Sequence, residues 1–331
     1  MKILLLRLSS IGDIVLTTPI LRSLHKAHPD WEVHYLTKPA FRQVLAHNPY
    51  VDKLHLLDKN WQAQLRLLQA EQFDFVLDLH HNLRTWQIRR ALGVPSRAFD
   101  KRNFDKYLLV HLKQSLRPIP HVVHRYGDTL KPLGVQLDEG GLDFFLPPEL
   151  SGVATAILAD AGLSAPMAVV LGAQHRTKRW ITAHFVKALN DLGREVVLIG
   201  GPDARADADE LMAGLRIPCL DAVARYDLLT SAALMRACTS VLTHDTGFMH
   251  IAAAFGMQVF SLWGSTVPAL GMTPYHTPHV LLENTRLTCR PCSKIGHDDC
   301  PLGHFRCMQD LHPDQVVEAI RTHAVPPVSG V

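Results

Sequence analysis

Short apolar runs that alternate with segments of helical spacing constrain this chain more than any other feature of it. In the first half, strand-like runs occupy residues 2–8, 32–36, 53–57 and 75–79, separated by helix-like segments such as 14–28 and 61–71. The alternation restarts after the small-residue, proline-bearing stretch "AGLSAPMAVVLGA". Strands are expected there at 168–171, 195–199, 240–243 and 259–262, and helices near 182–192, 204–215, 227–236 and 248–255. Such alternation implies parallel sheets with helices on both faces. At 331 residues the chain exceeds what one core usually holds. With 47% hydrophobic and 20% charged residues, both halves can bury a core of their own. The expected fold is therefore α/β, with two Rossmann-like domains facing across a cleft. The boundary falls between residues 150 and 166, which gives domains 1–160 and 161–331.

The opening "MKILLLRL" has four consecutive apolar residues before Arg7, too few for a secretory leader, and reads as a first strand. No stretch approaches the length of a membrane span, so a cytoplasmic protein is expected. The net charge of +3 is small, but its distribution is uneven. Between His80 and Lys131 eleven Lys or Arg stand against three acids, which leaves the rest of the chain at −5. This stretch is either a solvated face or an anion-binding surface.

In parallel α/β sheets ligands bind at the carboxyl ends of strands. One such end is "SSIGD", with Ser9, Ser10, Gly12 and Asp13. It lacks the G-x-G-x-x-G of a dinucleotide site, which argues against NAD. What remains is a turn that suits an anion, and a carboxylate whose plain structural role would be an N-cap. A second strand end, "LTHDTGFMHIAAAFG", sets Asp245, Thr246 and Gly247 before a helix expected from Phe248, with His250 in its first turn. The next, "LWGSTVP", adds Gly264, Ser265 and Thr266, small or hydroxylated residues that allow close approach of a ligand. After the strand at 168–171, "LGAQHRTKRW" carries Lys178, a compact cation for a phosphate or a solvated lysine beside two arginines.

Together, "RLSSIGDIVLTTPILRSL", "DLHHNLRT", "TKRW" and "THDTGFMHIAAAFG" resemble the lipopolysaccharide heptosyltransferases of glycosyltransferase family 9, in the family's order and over most of the chain. The resemblance implies a GT-B architecture with an acceptor-binding first domain, a donor-binding second domain and a last helix that crosses back. It implies transfer of heptose from ADP-heptose to the inner core of lipopolysaccharide, inversion at the anomeric carbon, and no metal in the chemical step. Asp13 then matches the family's catalytic aspartate, a general base toward the acceptor hydroxyl. Lys178 matches the lysine that neutralises the diphosphate, and Asp245, Thr246, Gly247 and His250 match the donor loop. Arg84, Lys101, Arg102 and Arg125 become candidates for an acceptor bearing phosphates or acidic sugars. Some members carry a glutamate after "LIGG", where this chain reads "GPDARAD" and Asp203 is nearest. A monomer is expected, with no nucleic-acid partner, and a lipid-linked acceptor would bring it to the inner face of the inner membrane. Two other readings keep the architecture: a nucleotide-sugar epimerase, and a non-catalytic sugar-nucleotide binding protein.

Of six cysteines, Cys219 and Cys238 sit in apolar surroundings and read as small buried residues. The other four, Cys289, Cys292, Cys300 and Cys307, cluster in "CRPCSKIGHDDCPLGHFRC" with His297 and His304 between them. A structural zinc knuckle, reduced thiols and a loop disulfide all fit this spacing.

Overall fold

The structure is a computed structural model that describes residues 1–323. Its contacts divide the chain into two compact units, Met1–Arg102 with Pro120–Phe145, and Asn103–Ile119 with Leu146 onward. Two consecutive domains were expected. Instead the chain joins the second unit earlier than residue 160, and residues 103–119 leave the first unit to pack with the second.

In the first unit, β1 (Lys2–Leu6), β2 (Glu32–Thr37), β3 (Lys53–Leu56), β4 (Phe75–Asp78) and β5 (Ser96–Ala98) form a parallel sheet in the order β3-β2-β1-β4-β5. Central β1 pairs Leu5 with Tyr35 on one side and with Leu77 on the other, all three buried. That burial on both faces accounts for its continuous apolar run. In the second unit, β6 (Met167–Val170), β7 (Val196–Ile199), β8 (Cys219–Asp221), β9 (Val241–His244), β10 (Val259–Trp263) and β11 (His279–Glu283) follow the order β11-β10-β9-β6-β7-β8, again all parallel. The strand order reverses between β1 and β4 and between β6 and β9. Loops part at these points and leave room for ligands.

The single helix expected at 14–28 is two, Ile11–Val15 and Thr18–Ala27. Pro19 has no N–H to continue the first helix and suits the opening turn of the second. Thr17 and Thr18 donate their hydroxyls to the carbonyls of Ile14 and Val15 at the break. The last described helix, Pro313–His323, packs on helix Thr182–Leu192 of its own unit.

The return segment of the first unit is fastened by Arg22. Its guanidinium grips Asp138 with two bonds of 2.6 and 2.9 Å, pairs with Asp143, and donates to the Gly141 carbonyl at 2.7 Å. Arg22→Met leaves two carboxylates short of their counter-charge, so a loss of about 3–5 kcal/mol is expected in urea unfolding. A loss under ~1 kcal/mol would mean that the cluster behaves as an exposed ion pair.

Candidate functional site

Each reversal point carries one of the two constellations expected from the sequence. At the end of β1, Arg7 turns its buried guanidinium inward, donating to the carbonyls of Ser9 at 2.8 Å and Leu79 at 2.7 Å and to the Tyr126 hydroxyl at 3.0 Å. Its remaining nitrogen meets Asp13 Oδ1 at 2.7 Å. The other carboxylate oxygen accepts from the Ser10 amide at 3.1 Å and the Ser10 hydroxyl at 2.8 Å. The N-cap is therefore Ser10, and Asp13 is the third helical residue reaching back to it, not the cap itself. Burial alone would raise the Asp13 carboxyl, but Arg7 and the two Ser10 bonds outweigh it and hold the group below the usual carboxylate range. The side chain keeps 24% of its surface accessible, so this ionised oxygen pair can still be reached by a substrate. Gly12 is buried under the turn, whereas Ser9 and Ser10 are not.

The loop after β4 lies beside it. Asp78 accepts from the backbone amides of His80 and His81 at 3.1 and 2.6 Å and pairs with Arg89 at 3.1 Å. Burial, reinforced by the positive charges of Arg7 and Lys101, lowers His80 to about 4. A groove of about 760 Å³ opens past β2 and β3, lined by Lys38, Lys59, Trp61 and Arg84. Of the expected acceptor-side residues, exposed Arg84 borders this groove, and Lys101 and Arg102 are half-buried. Arg125 departs from expectation. It is buried and donates to the carbonyls of Pro120, Asp100 and Lys101, so it braces the chain instead of presenting charge.

At the second reversal point, Lys178 Nζ lies 2.7 Å from Asp245 Oδ2 and donates to the Asp245 carbonyl at 3.1 Å. Thr266 donates to the same carboxylate at 3.0 Å, joining the loops after β6, β9 and β10. Helix Gly247–Ala254 starts one residue earlier than expected, with Thr246 at its N-cap, so the amides of its first turn open beside this cluster. His250 is buried on that helix. Gly264 is obligatory here, because a Cβ would stand 2.5 Å from the Thr177 carbonyl. Ser265 is buried with its hydroxyl 2.9 Å from that of Thr177. Asp203 is drawn outward to Arg179 at 2.9 Å, and Arg179 also holds Asp207 and the Ala173 carbonyl. A partly buried cation beside first-turn amides can hold a diphosphate, and the ionised carboxylate of the first constellation can accept a proton.

The family model for glycosyltransferase family 9 (heptosyltransferase) matches residues 61–301. The chain belongs to this family. Lipopolysaccharide heptosyltransferase 1 of Pseudomonas aeruginosa is 27% identical over 95% of this chain and 92% of its own length. Among solved structures, a family 9 glycosyl transferase from Veillonella parvula superposes with a TM-score of 0.80 at 23% identity, covering 98% of this chain and 97% of that one. The E. coli ADP-heptose lps heptosyltransferase II superposes at 0.74 with 20% identity, over 98% of each chain. The protein is a glycosyltransferase of GT-B fold.

Three residues that hold the loops after β6 and β10 were not singled out in the sequence, although two of them, Thr177 and His244, stand within "TKRW" and "THDTGFMHIAAAFG". Arg290, buried, ties the carbonyls of Trp263 and Thr266 at 3.0 and 2.9 Å and also binds that of Gly264. His244 accepts from the Trp180 amide at 2.9 Å, and its other nitrogen faces the Gly172 carbonyl at 3.2 Å. Thr177 receives the His297 amide at 2.8 Å, so the cysteine-bearing segment packs onto the loop that carries Lys178. All six cysteines are free thiols, and Cys289 Sγ lies 3.9 Å from His304 Nε2. Among the described residues, one group of three metal-capable side chains gathers within 4.8 Å, and it is His34, His55 and Glu71 rather than the cysteines. Glu71 is already paired with Lys2 and Lys53, so its charge is met without an ion.

Burial holds two of these histidines neutral in the folded state, lowering His55 and His244 to about 4. Unfolded, each takes a proton near pH 6.5, so stability present above that pH is lost as pH falls toward 4, by up to roughly 3 kcal/mol per residue. Urea midpoints measured from pH 7 to 4 are expected to fall steadily, and less steeply in His55→Gln. A flat profile would mean that the imidazoles are charged when folded.

Proposed function

We propose that this glycosyltransferase moves heptose from ADP-heptose to the inner core of lipopolysaccharide, with inversion at the anomeric carbon. One observation carries the reading: a reachable, ionised carboxylate stands at the reversal point of one sheet, and a lysine beside open helix amides stands at that of the other. Asp13 takes the proton of the acceptor hydroxyl as its oxygen attacks the anomeric carbon. Lys178 and the amides that open helix Gly247–Ala254 meet the charge that grows on the departing diphosphate. Lys38, Lys59 and Arg84 give the groove of the first unit a cationic wall suited to an acceptor with phosphates or acidic sugars. The cysteine segment has a structural role, supporting the donor loops through Arg290 and Thr177. The names of the relatives support the donor and the acceptor class.

Purified protein given ADP-heptose and a truncated core acceptor is expected to release ADP only when both are present. Thermal shift across a donor panel checks the nucleotide. Stabilisation by UDP-sugars and none by ADP-sugars would overturn the donor, and acceptor-independent change of the sugar, followed by proton NMR, would make the protein an epimerase.

A further inference from the structure

We propose that residues 103–117 form a docking surface for an anionic lipid membrane. This deepens the reading above, in which the acceptor is a lipopolysaccharide core, by naming the part of the chain that meets the bilayer. The segment begins with helix Asn103–Tyr107 and continues in a wider helical turn, Leu108–Leu112. It is anchored from within. Asp105, Val110 and Ile119 are buried, and Lys113 Nζ donates to the carbonyls of Val110 and Pro291 at 2.6 Å each.

From this anchored base, large apolar side chains point to solvent. Phe104 is 66% exposed, Tyr107 52%, Leu112 55% and Leu116 73%. They are four of the thirteen large hydrophobic side chains exposed among the described residues, gathered within thirteen positions of sequence. That density marks an interaction site rather than the ordinary scatter of surface hydrophobics. The same segment carries Lys106, Lys113 and Arg117 against a single acid, Asp105, which is buried and paired with Arg117 at 3.4 Å.

Aromatic and leucine side chains amid basic residues, on a short element lying along the surface, match the boundary between headgroups and acyl chains. The apolar groups enter that boundary and the cations stay at the phosphates. A saccharide would satisfy the cations but leave four bare apolar side chains in water. A second copy docked two-fold on the same face would set these cations against themselves.

The test is co-sedimentation of the full-length protein with vesicles, with no donor or acceptor present. Binding to phosphatidylcholine vesicles containing phosphatidylglycerol is expected, together with weak binding to pure phosphatidylcholine and a clear loss on raising salt from about 0.1 to about 0.5 M. The double variant Phe104→Ser/Leu116→Ser should bind about tenfold more weakly while keeping its melting temperature and its ADP release with a delipidated, soluble acceptor. A second readout is Leu116→Trp, whose fluorescence should be quenched by acyl-brominated anionic lipid. Binding of the double variant equal to that of the parent, no binding to anionic vesicles, absence of quenching, or dimerisation lost in the double variant without any vesicle binding would each overturn the proposal. Failure of ADP release with the soluble acceptor while vesicle binding persists would instead count against the proposed reaction alone.

Discussion

Asp13→Ala is expected to lower the rate of heptose transfer by about 10²–10⁴, the range lost when a general base is removed, while the thermal shift given by the donor stays unchanged. The substitution also strips Arg7 of its carboxylate partner inside the first unit, so Asp13→Asn is the cleaner variant. It keeps the shape and an acceptor for the Ser10 amide, removes the basic oxygen, and should be equally slow. Arg7 gives a separate check. Burial pushes the Asp13 carboxyl up, and Arg7 is the leading influence pulling it back down. Arg7→Met should therefore move the acidic limb of kcat/KM to higher pH, because the carboxyl then takes its proton sooner. Full activity in Asp13→Asn would remove Asp13 from the chemistry.

The second large effect concerns Lys178. Its ammonium is 2.7 Å from Asp245, and both side chains are mostly buried. In the proposed reaction, Lys178→Met removes a charge-assisted contact to the diphosphate and also leaves Asp245 as an uncompensated anion beside the donor's own negative charge. A contact of this kind is worth about 3–4 kcal/mol when it acts on charge developing in the transition state, which corresponds to a loss of roughly 10²–10³ in rate. The double variant Lys178→Met/Asp245→Asn should recover donor binding in part, since the repulsion is gone, but not the rate. Equal recovery of both would assign the pair to ground-state binding. Unchanged kinetics in Lys178→Met would mean that the lysine only organises the loop.

The central strands and the two strand-end constellations were legible because their signals are local. Buried parallel strands read as apolar runs, and the residues that follow β1, β6, β9 and β10 sit within a few positions of a strand end. What escaped was short or non-local. β5 and β8 have three residues each, too few for any periodicity to show, and β11 is an edge strand. Arg7, Arg290 and His244 act through partners, several of them backbone carbonyls, that no residue pattern announces. Arg125 was misplaced for the opposite reason. Counted as one charge in a basic stretch it suggested surface, yet a guanidinium can be buried when it finds carbonyls, and here it finds three.

Those three carbonyls have a mechanical consequence. Asp100 and Lys101 stand where the chain is about to leave the first unit, and Pro120 where it returns, so one side chain ties the mouth of the excursion shut. The seam lies outside residues 103–119 themselves. A change of length within 103–119 leaves the two ends tied and so costs the sheet that carries Asp13 little entropy, whereas the buried Asp105, Val110 and Ile119 hold the segment to the second unit.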